Sequence, residues 1–299
     1  MLRMQTATFA DPIGFSDLVL PVLKPFEAEN NLALGVLSTM RANPTRWENP
    51  LMAVVHDGSA PTGDRIAAVV VRTPPFPVIV AYTETASDPA VVERVIQLLK
   101  EVYGTKITGF NMDTRIAAPY VEAWSADTGT QASVHMRMRI YRCARVNPLS
   151  PVPGFPRTPL PGDADLLRTF VTGFYRDALP QEYSAERVDA YVRRMLTADP
   201  LQQGVLLWEV NGEVVSMAAY SGPTPHGIRV NAVYTPPEYR SHGYASACVA
   251  ELTRRLLSGG REFCFLFTDL TNPTSNKIYQ DIGYEPVSDH VYWRFEEGP

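Results

Sequence analysis

Cysteine is scarce in this chain, with only Cys143, Cys248 and Cys264 among 299 residues. Three cysteines so far apart exclude a disulfide framework and a zinc knuckle, and read instead as small core residues. Long apolar runs are missing as well. No stretch of about 18 apolar residues occurs, and Met1 to Leu20 holds Asp11 and Asp17 without a charged-then-apolar order. Neither a membrane span nor a signal peptide is supported, and a cytoplasmic location is expected. Lysine is nearly absent, 4 residues against 23 arginines, a bias of coding composition rather than of chemistry. Positive charge is in deficit overall, with a formal net charge of -5. Residues 1–156 carry 14 basic and 14 acidic side chains, and residues 157–299 carry 13 and 18. A nucleic-acid module would show the opposite sign. The histidines His56, His135, His226, His242 and His290 form no H-x-H or H-x-x-H pair, so no metal is expected.

What the chain does have is proline in one place. "NPLSPVPGFPRTPLPG", residues 147–162, holds six prolines and two glycines. Such a density cannot lie inside a helix or a central strand, so it reads as a linker that also offers an edge strand. On either side of it the same order of elements is legible. After the linker, Ala164–Asp177 and Ala185–Leu196 are helical in period. "GVLLWEVNGEVVSMAAY" gives two strands around Asn211-Gly212, a hairpin signal. "GIRVNAVYT" is a third strand, Tyr244–Leu257 a helix, "FCFLFTDL" a buried strand, Asn272–Ile282 a short helix and "HVYWRFE" a last strand. Before it, "PLMAVVHD", "RIAAVVVR" and "PVIVAYTE" are strands, followed by helix, strand, helix and the strand "ASVHMRMRIYRC". This is a duplication of pattern, with identities drifted apart. The expected organisation is a first domain over 1–146, a linker over 147–155 and a second domain over 156–299.

The stretch "YTPPEYRSHGYASA", residues 234–247, stands at a strand-to-helix junction. The helix that follows is amphipathic, with Ala245, Cys248, Val249, Leu252 and Leu256 on one side and Glu251, Arg254 and Arg255 on the other. Its first amides have no intrahelical acceptor and stand at the positive end of the macrodipole, which makes a ready anion site. Gly243 lets a ligand approach the backbone and Ala245 leaves room at the first turn. No GK[ST] follows and no G-x-G precedes, which excludes a Walker loop and a dinucleotide fingerprint.

Strand, R-x-x-G-x-A and amphipathic helix together resemble the acyl-CoA pyrophosphate cradle of the GNAT superfamily of N-acetyltransferases. "LFTDLTNPTSNKIYQDIGY", residues 266–284, resembles that family's closing motif N-x-x-S-N-x-x-Y followed by x-G-Y. The resemblance covers roughly Pro156 to Phe295. It implies an α/β (α+β) fold of two GNAT-like domains, each a mixed, mostly antiparallel twisted sheet flanked by helices. In the first, "YTETASDPAVV" sets Glu84 and Asp88 where the cradle belongs, so that domain is expected to be degenerate.

The resemblance also implies site roles. Backbone groups of Val233, Tyr234 and Thr235 would pair with the pantetheine amides, one of their N–H groups polarising the thioester carbonyl. Amides of Arg240, Ser241, His242, Gly243, Tyr244 and Ala245 would hold the pyrophosphate. Asn272 and Ser275 would contact the cofactor arm, although Asn272 before Pro273 is equally a plain N-cap. Tyr279 matches the general acid, while its spacing with Ile278 and Ile282 also suits a core aromatic. Asp269 is the nearest acidic candidate for the base, or a cap of the next turn. Asp177, Glu182 and Glu186, in or beside the connection between the first two helices, suggest a cationic acceptor, although a solvated helix pair would look the same.

The implied activity is acetyl-CoA-dependent transfer of an acetyl group to an amine by direct attack in a ternary complex. Acetyl-CoA is the co-substrate, a small molecule or peptide amine is the acceptor, and neither nucleic acid nor membrane is a partner. The tandem arrangement fits a monomer. The alternative is a non-catalytic acyl-CoA sensor.

Overall fold

A computed structural model describes residues 4–58 and 60–296. In chain order its elements begin β1 (Met4–Thr8), α1 (Pro12–Leu23), α2 (Asn31–Ala42), β2 (Leu51–Asp57), β3 (Ile66–Arg72), β4 (Val78–Val80), α3 (Pro89–Tyr103), β5 (Gly109–Asp113), α4 (Thr114–Thr128) and β6 (Gln131–Cys143). They continue β7 (Phe155–Arg157), α5 (Ala164–Ala178), α6 (Ala185–Thr197), β8 (Gln203–Val210), β9 (Glu213–Ser221), β10 (Gly227–Tyr234), α7 (Tyr244–Ser258), β11 (Phe263–Asp269), α8 (Pro273–Ile282) and β12 (Glu285–Glu296). The fold is mixed α/β, and most strand pairs are antiparallel. None of the described helices is long and apolar enough to cross a membrane.

Contacts divide the chain into two compact units. Unit 1 holds Met1–Ile140, Thr268–Asn272 and Pro286–Pro299, and unit 2 holds Tyr141–Phe267 and Pro273–Glu285. In unit 1 the strands run in the order β1-β2-β3-β4-β5-β12. The chain's last strand is therefore a neighbour of β5, antiparallel, with His290 opposite Asp113 and Trp293 opposite Phe110. β2 and β3 are buried on both faces, the pattern of strands covered by helices on either side. One face packs on α3 and α4 through Val91, Val95, Leu99, Tyr120 and Trp124, and the other on α1 and α2 through Phe15, Val19, Leu34 and Leu37. β1, α1 and α2 precede the three strands legible in the sequence and complete the repeat.

Unit 2 has the order β11-β10-β9-β8-β7. The turn at Asn211 and Gly212 has both φ values positive, 51° and 85°, as a tight type I′ hairpin needs. β7 comes from the proline-rich segment and pairs only with β8, an edge strand as the prolines require. α5 and α6 cover one face, burying Leu167, Phe170, Val188 and Val192 against Val205, Leu207 and Met217. α7 and α8 cover the other, burying Cys248, Val249 and Leu252 against Leu206, Ile228 and Val230. Each of the Val, Leu, Ile, Phe and Met side chains among them, fully buried, contributes roughly 1.5–3 kcal/mol of transfer free energy. All three cysteines are buried and reduced.

Candidate functional site

The helix at the opening motif starts as the sequence demands. Ser241 and Gly243 both lie in the left-handed region, at φ 64° and 80°, so the chain rises into α7 through two sharp reversals. No side chain caps that end. The first helical bond in the turn runs from Ala247 N–H to the Gly243 carbonyl at 3.0 Å, leaving the amides of Tyr244, Ala245 and Ser246 without an intrahelical acceptor. Ser241, His242 and Gly243 are exposed, while Tyr244 is buried as the anchor of the turn. A Cβ on Gly243 would stand 3.0 Å from Val152 Cγ1, so only glycine fits there without strain. α1, α4 and α6 are capped by Asp11, Asp113 and Ser184, whereas α2, α3 and α5 have no side-chain cap either; what sets α7 apart is its left-handed entry on an exposed glycine. An open, uncapped helix N-terminus entered through left-handed residues suits an anionic group such as a phosphate.

Two members of the loop are otherwise engaged. The Arg240 N–H donates to the Pro237 carbonyl at 3.3 Å, and its guanidinium donates to the Thr235 carbonyl at 3.0 Å and to Asp177. Arg240 braces the loop. The His242 Nδ1–H donates to the Arg240 carbonyl at 2.7 Å and the ring stacks on Tyr244 at 5.5 Å.

β10 delivers the next part of the site. It pairs in parallel with β11 only over Gly227↔Phe263, Ile228↔Cys264 and Arg229↔Phe265. Towards β9 the register jumps from Asn231↔Ala219 to Tyr234↔Met217, so Ala232 and Val233 form a bulge, with Ala232 at φ 42°. A bulge turns backbone groups out of the ladder and re-aims side chains. Here it sends Val233 to the α7 core and Tyr234 to the α5 side. The Tyr234 ring packs on Phe170 at 5.7 Å, and Gly173 makes room for it, since a Cβ there would lie 2.3 Å from the phenol. Ser216 holds the strand end, donating to the Tyr234 carbonyl at 3.3 Å and sharing a 2.9 Å bond with the Thr235 hydroxyl. A depression of about 600 Å³ borders Tyr234, between α5, the β8–β9 turn and Pro236–Tyr239.

Tyr279 is half-buried on α8, packed edge-on to Tyr284 at 6.0 Å. It borders the same core as Val233, Tyr244 and Ala247. Burial pushes its phenol up to about 12. Neighbouring motif residues are structural. Asn276 Oδ1 accepts from the Tyr141 hydroxyl at 3.0 Å, and the Tyr284 hydroxyl shares a 2.7 Å bond with Thr253. Ser275 is half-buried in the first turns of α8.

Asp269 and Asn272 group with unit 1. Asp269 Oδ1 accepts from both the N–H and the hydroxyl of Thr271, each at 2.8 Å, and Asn272 N–H donates to the Asp269 carbonyl at 3.1 Å. That is the turn-capping geometry. Of the three carboxylates that suggested a cationic acceptor, Asp177 is bound to Arg240 and Glu182 lies 3.7 Å from Arg187. Sequence reasoning did not single out Arg229 and Asn231. The available signal was a charged residue and an amide two positions apart in the otherwise apolar strand "GIRVNAVY".

The equivalent positions of unit 1 are filled. Asn30 bridges both backbone groups of Tyr82, its Nδ2 donating to the Tyr82 carbonyl at 2.9 Å and its Oδ1 accepting from the Tyr82 N–H at 2.7 Å. Asp88 stands at the N-cap of α3.

Known proteins resemble this chain in its second half and in its fold. Residues 168–284 match the family model described as "Acetyltransferase (GNAT) family". Among solved structures, a GCN5-related N-acetyltransferase from Sphaerobacter thermophilus is 15% identical, covering 99% of this chain and 96% of its own, with a TM-score of 0.63. One from Kribbella flavida is 15% identical over 89% of this chain and 96% of its own, with a TM-score of 0.59. A tandem GNAT protein from the clavulanic acid biosynthesis pathway is 12% identical over 99% of each chain, with a TM-score of 0.56. At these identities the likeness is one of fold. No curated protein matches the chain. Residues 168–284 are thus similar to the acetyltransferase (GNAT) family, and the whole chain shares its fold with the solved structures.

Proposed function

We propose that unit 2 transfers an acetyl group from acetyl-CoA to an amine by direct attack. The observation that carries this reading is the uncapped α7 N-terminus, entered through Ser241 and Gly243 in left-handed conformations. The amides of Ser241 to Ala245 hold the diphosphate. Backbone groups of Val233, Tyr234 and Thr235 at the β10 bulge hold the acyl arm and polarise its carbonyl, as oriented amides do where negative charge develops. Asn272 and Ser275 lie along the motif that reaches the arm. The amine nitrogen bonds to the acyl carbon, the carbon–sulfur bond breaks, and Tyr279 gives its proton to the departing thiolate. Buried cysteines make an acyl-enzyme a poorer reading: burial pushes the Cys248 thiol well above its ordinary range, away from nucleophilic thiolate.

A second reading, a sensor that binds acyl-CoA without turnover, is favoured by one observation. Asp269, the nearest acidic candidate for a base, is bonded to Thr271. Calorimetric titration with acetyl-CoA, followed by thiol release over a panel of amines, separates the two. Binding with turnover supports the transferase, and binding with no turnover on any amine supports the sensor. Gly243→Val should lower acetyl-CoA affinity at least 10-fold, because the side chain fills the approach to the amides and strains a positive φ. Unchanged affinity in a folded Gly243→Val protein would place the cofactor elsewhere.

A further inference from the structure

The face of unit 2 opposite α7 carries a cluster that neither the loop nor Tyr279 uses. Strand alternation and register put Arg229 and Asn231 there, opposite Ser221 and Ala219 of β9. Over them lies α6, whose Arg187, Tyr191 and Arg194 are spaced by four and three and share one stripe. Tyr191 ties helix to strand. Its hydroxyl donates to Asn231 Oδ1 at 2.7 Å, and Asn231 Nδ2 donates to Ser221 Oγ at 2.7 Å. The Arg194 guanidinium stands 5.6 Å from the Tyr191 ring. Arg229 feels the same phenol and lies 6.0 Å from the Phe267 ring on β11.

The cluster is cationic. Arg194 Nε is buried with no hydrogen-bond partner among the described residues. The groups acting on Arg194 are the phenols of Tyr191 and Tyr175 and a further cation, Arg193. Glu182 lies instead beside Arg187. Burial lowers both Arg194 and Arg229, the latter to about 10. A half-buried guanidinium with an unmade hydrogen bond costs stability that a bound anion recovers.

The position matters as much as the charge. β10 and β11 stop pairing beyond Arg229↔Phe265, so the backbone of the bulge at Ala232 and Val233 lies past the end of that ladder. Arg229 and Asn231 precede the bulge along β10, on the face away from α7.

We propose that the acceptor amine carries a carboxylate, held by Arg194 and Arg229 on the α6–β10 face while its amino group reaches the bulge. This rests on the acyl-transfer reading and names its substrate class: amino acids, or compounds with an amine and a carboxylate a few bonds apart. A planar guanidinium matches a carboxylate in two parallel hydrogen bonds. The carboxylate is unchanged in the reaction. The thiol takes the Tyr279 proton, the amine proton leaves to water, and a proton from water restores the phenol.

The test compares matched acceptors, amino acids against their amides and their decarboxylated amines, with the full-length protein and acetyl-CoA, read by thiol release. Acids should be preferred. Arg194→Gln should raise KM for the acid about 10- to 100-fold, as loss of a charged hydrogen bond does, leaving KM for the amide and Kd for acetyl-CoA unchanged. Arg194→Lys should recover part of the loss. A panel in which no acid outperforms its amide overturns the proposal, as does an Arg194→Gln protein with equal changes for acid and amide. Failure to bind acetyl-CoA at all is the separate failure of the acyl-transfer reading itself.

Discussion

A phenol serves as an acid only while it keeps its proton, and burial pushes Tyr279 up to about 12. It therefore stays protonated throughout the range in which an amine loses its own proton. The rate should rise with pH as the amine deprotonates, and no falling limb should come from Tyr279 below about pH 11. Tyr279→Phe should lower kcat on the order of 100-fold with Kd for acetyl-CoA unchanged. Pre-steady-state thiol release checks the first and calorimetry the second. A kcat equal to wild type would make Tyr279 a core aromatic of unit 2. At this scale the sequence is unevenly legible. Gly243 and Tyr279 stand out because their spacing within a motif is fixed. Asp269 reads two ways, since one carboxylate before a turn serves a base or a cap equally. Arg194 is invisible, because an arginine in a chain with 23 of them gains meaning only from the phenols folded around it.

Single elements set what those residues can do. The order of strands and helices in unit 2 follows from period and turn chemistry, and Asn211-Gly212 fixes the β8–β9 hairpin locally. The bulge in β10 has no such mark: Ala232 takes a positive φ without a glycine, which tertiary packing imposes and no propensity announces. The sheet that β12 joins is equally silent. "HVYWRFE" reads as a strand, but its partner β5 lies far back in the chain, and period does not encode long-range register. That pairing buries His290 4.0 Å from the Asp113 carboxylate. Burial lowers His290 to about 4, against the opposing pull of Asp113. For Asp113 burial acts upwards, but bonds from Arg115 and the nearby His290 charge hold it below its ordinary range. The signs agree. Between about pH 6.5 and 4 the unfolded chain takes up a proton that folded His290 refuses, so stability falls on the order of 3 kcal/mol as pH drops through that window. Below it, protonation of Asp113 removes more. Chemical denaturation at stepped pH should show this slope, and His290→Asn should flatten it between pH 6.5 and 4. An unchanged slope in the variant would assign the acid sensitivity to other groups.

Across the whole molecule, the duplication acts as an internal control. Both units present a sheet between two helix pairs, so features found in one alone are not demanded by the fold. In unit 2 the helix after the bulged strand begins on an exposed glycine without a cap. In unit 1 the corresponding helix, α3, also lacks a side-chain cap bond but begins at Asp88 instead of a left-handed glycine, and a carboxylate at that position opposes a phosphate. The groove of about 890 Å³ between α3 and α4 is lined by Glu93, Glu101, Glu122 and Asp127, with Lys100 spent on Asp127 at 2.8 Å. Both backbone groups of Tyr82 are taken by Asn30. The acidic loop was legible in "YTETASDPAVV"; the Asn30 bridge was not, since it joins residues 52 positions apart. One acetyl-CoA should therefore bind per chain, and calorimetry reads this as a stoichiometry of one. Gly243→Val should weaken that one site without revealing a second. Asn30→Ala should leave the stoichiometry at one, because Asp88 and the carboxylates of the groove still oppose a diphosphate. Two equivalents bound by the wild-type protein would mean that unit 1 accepts the cofactor despite the charge set against it.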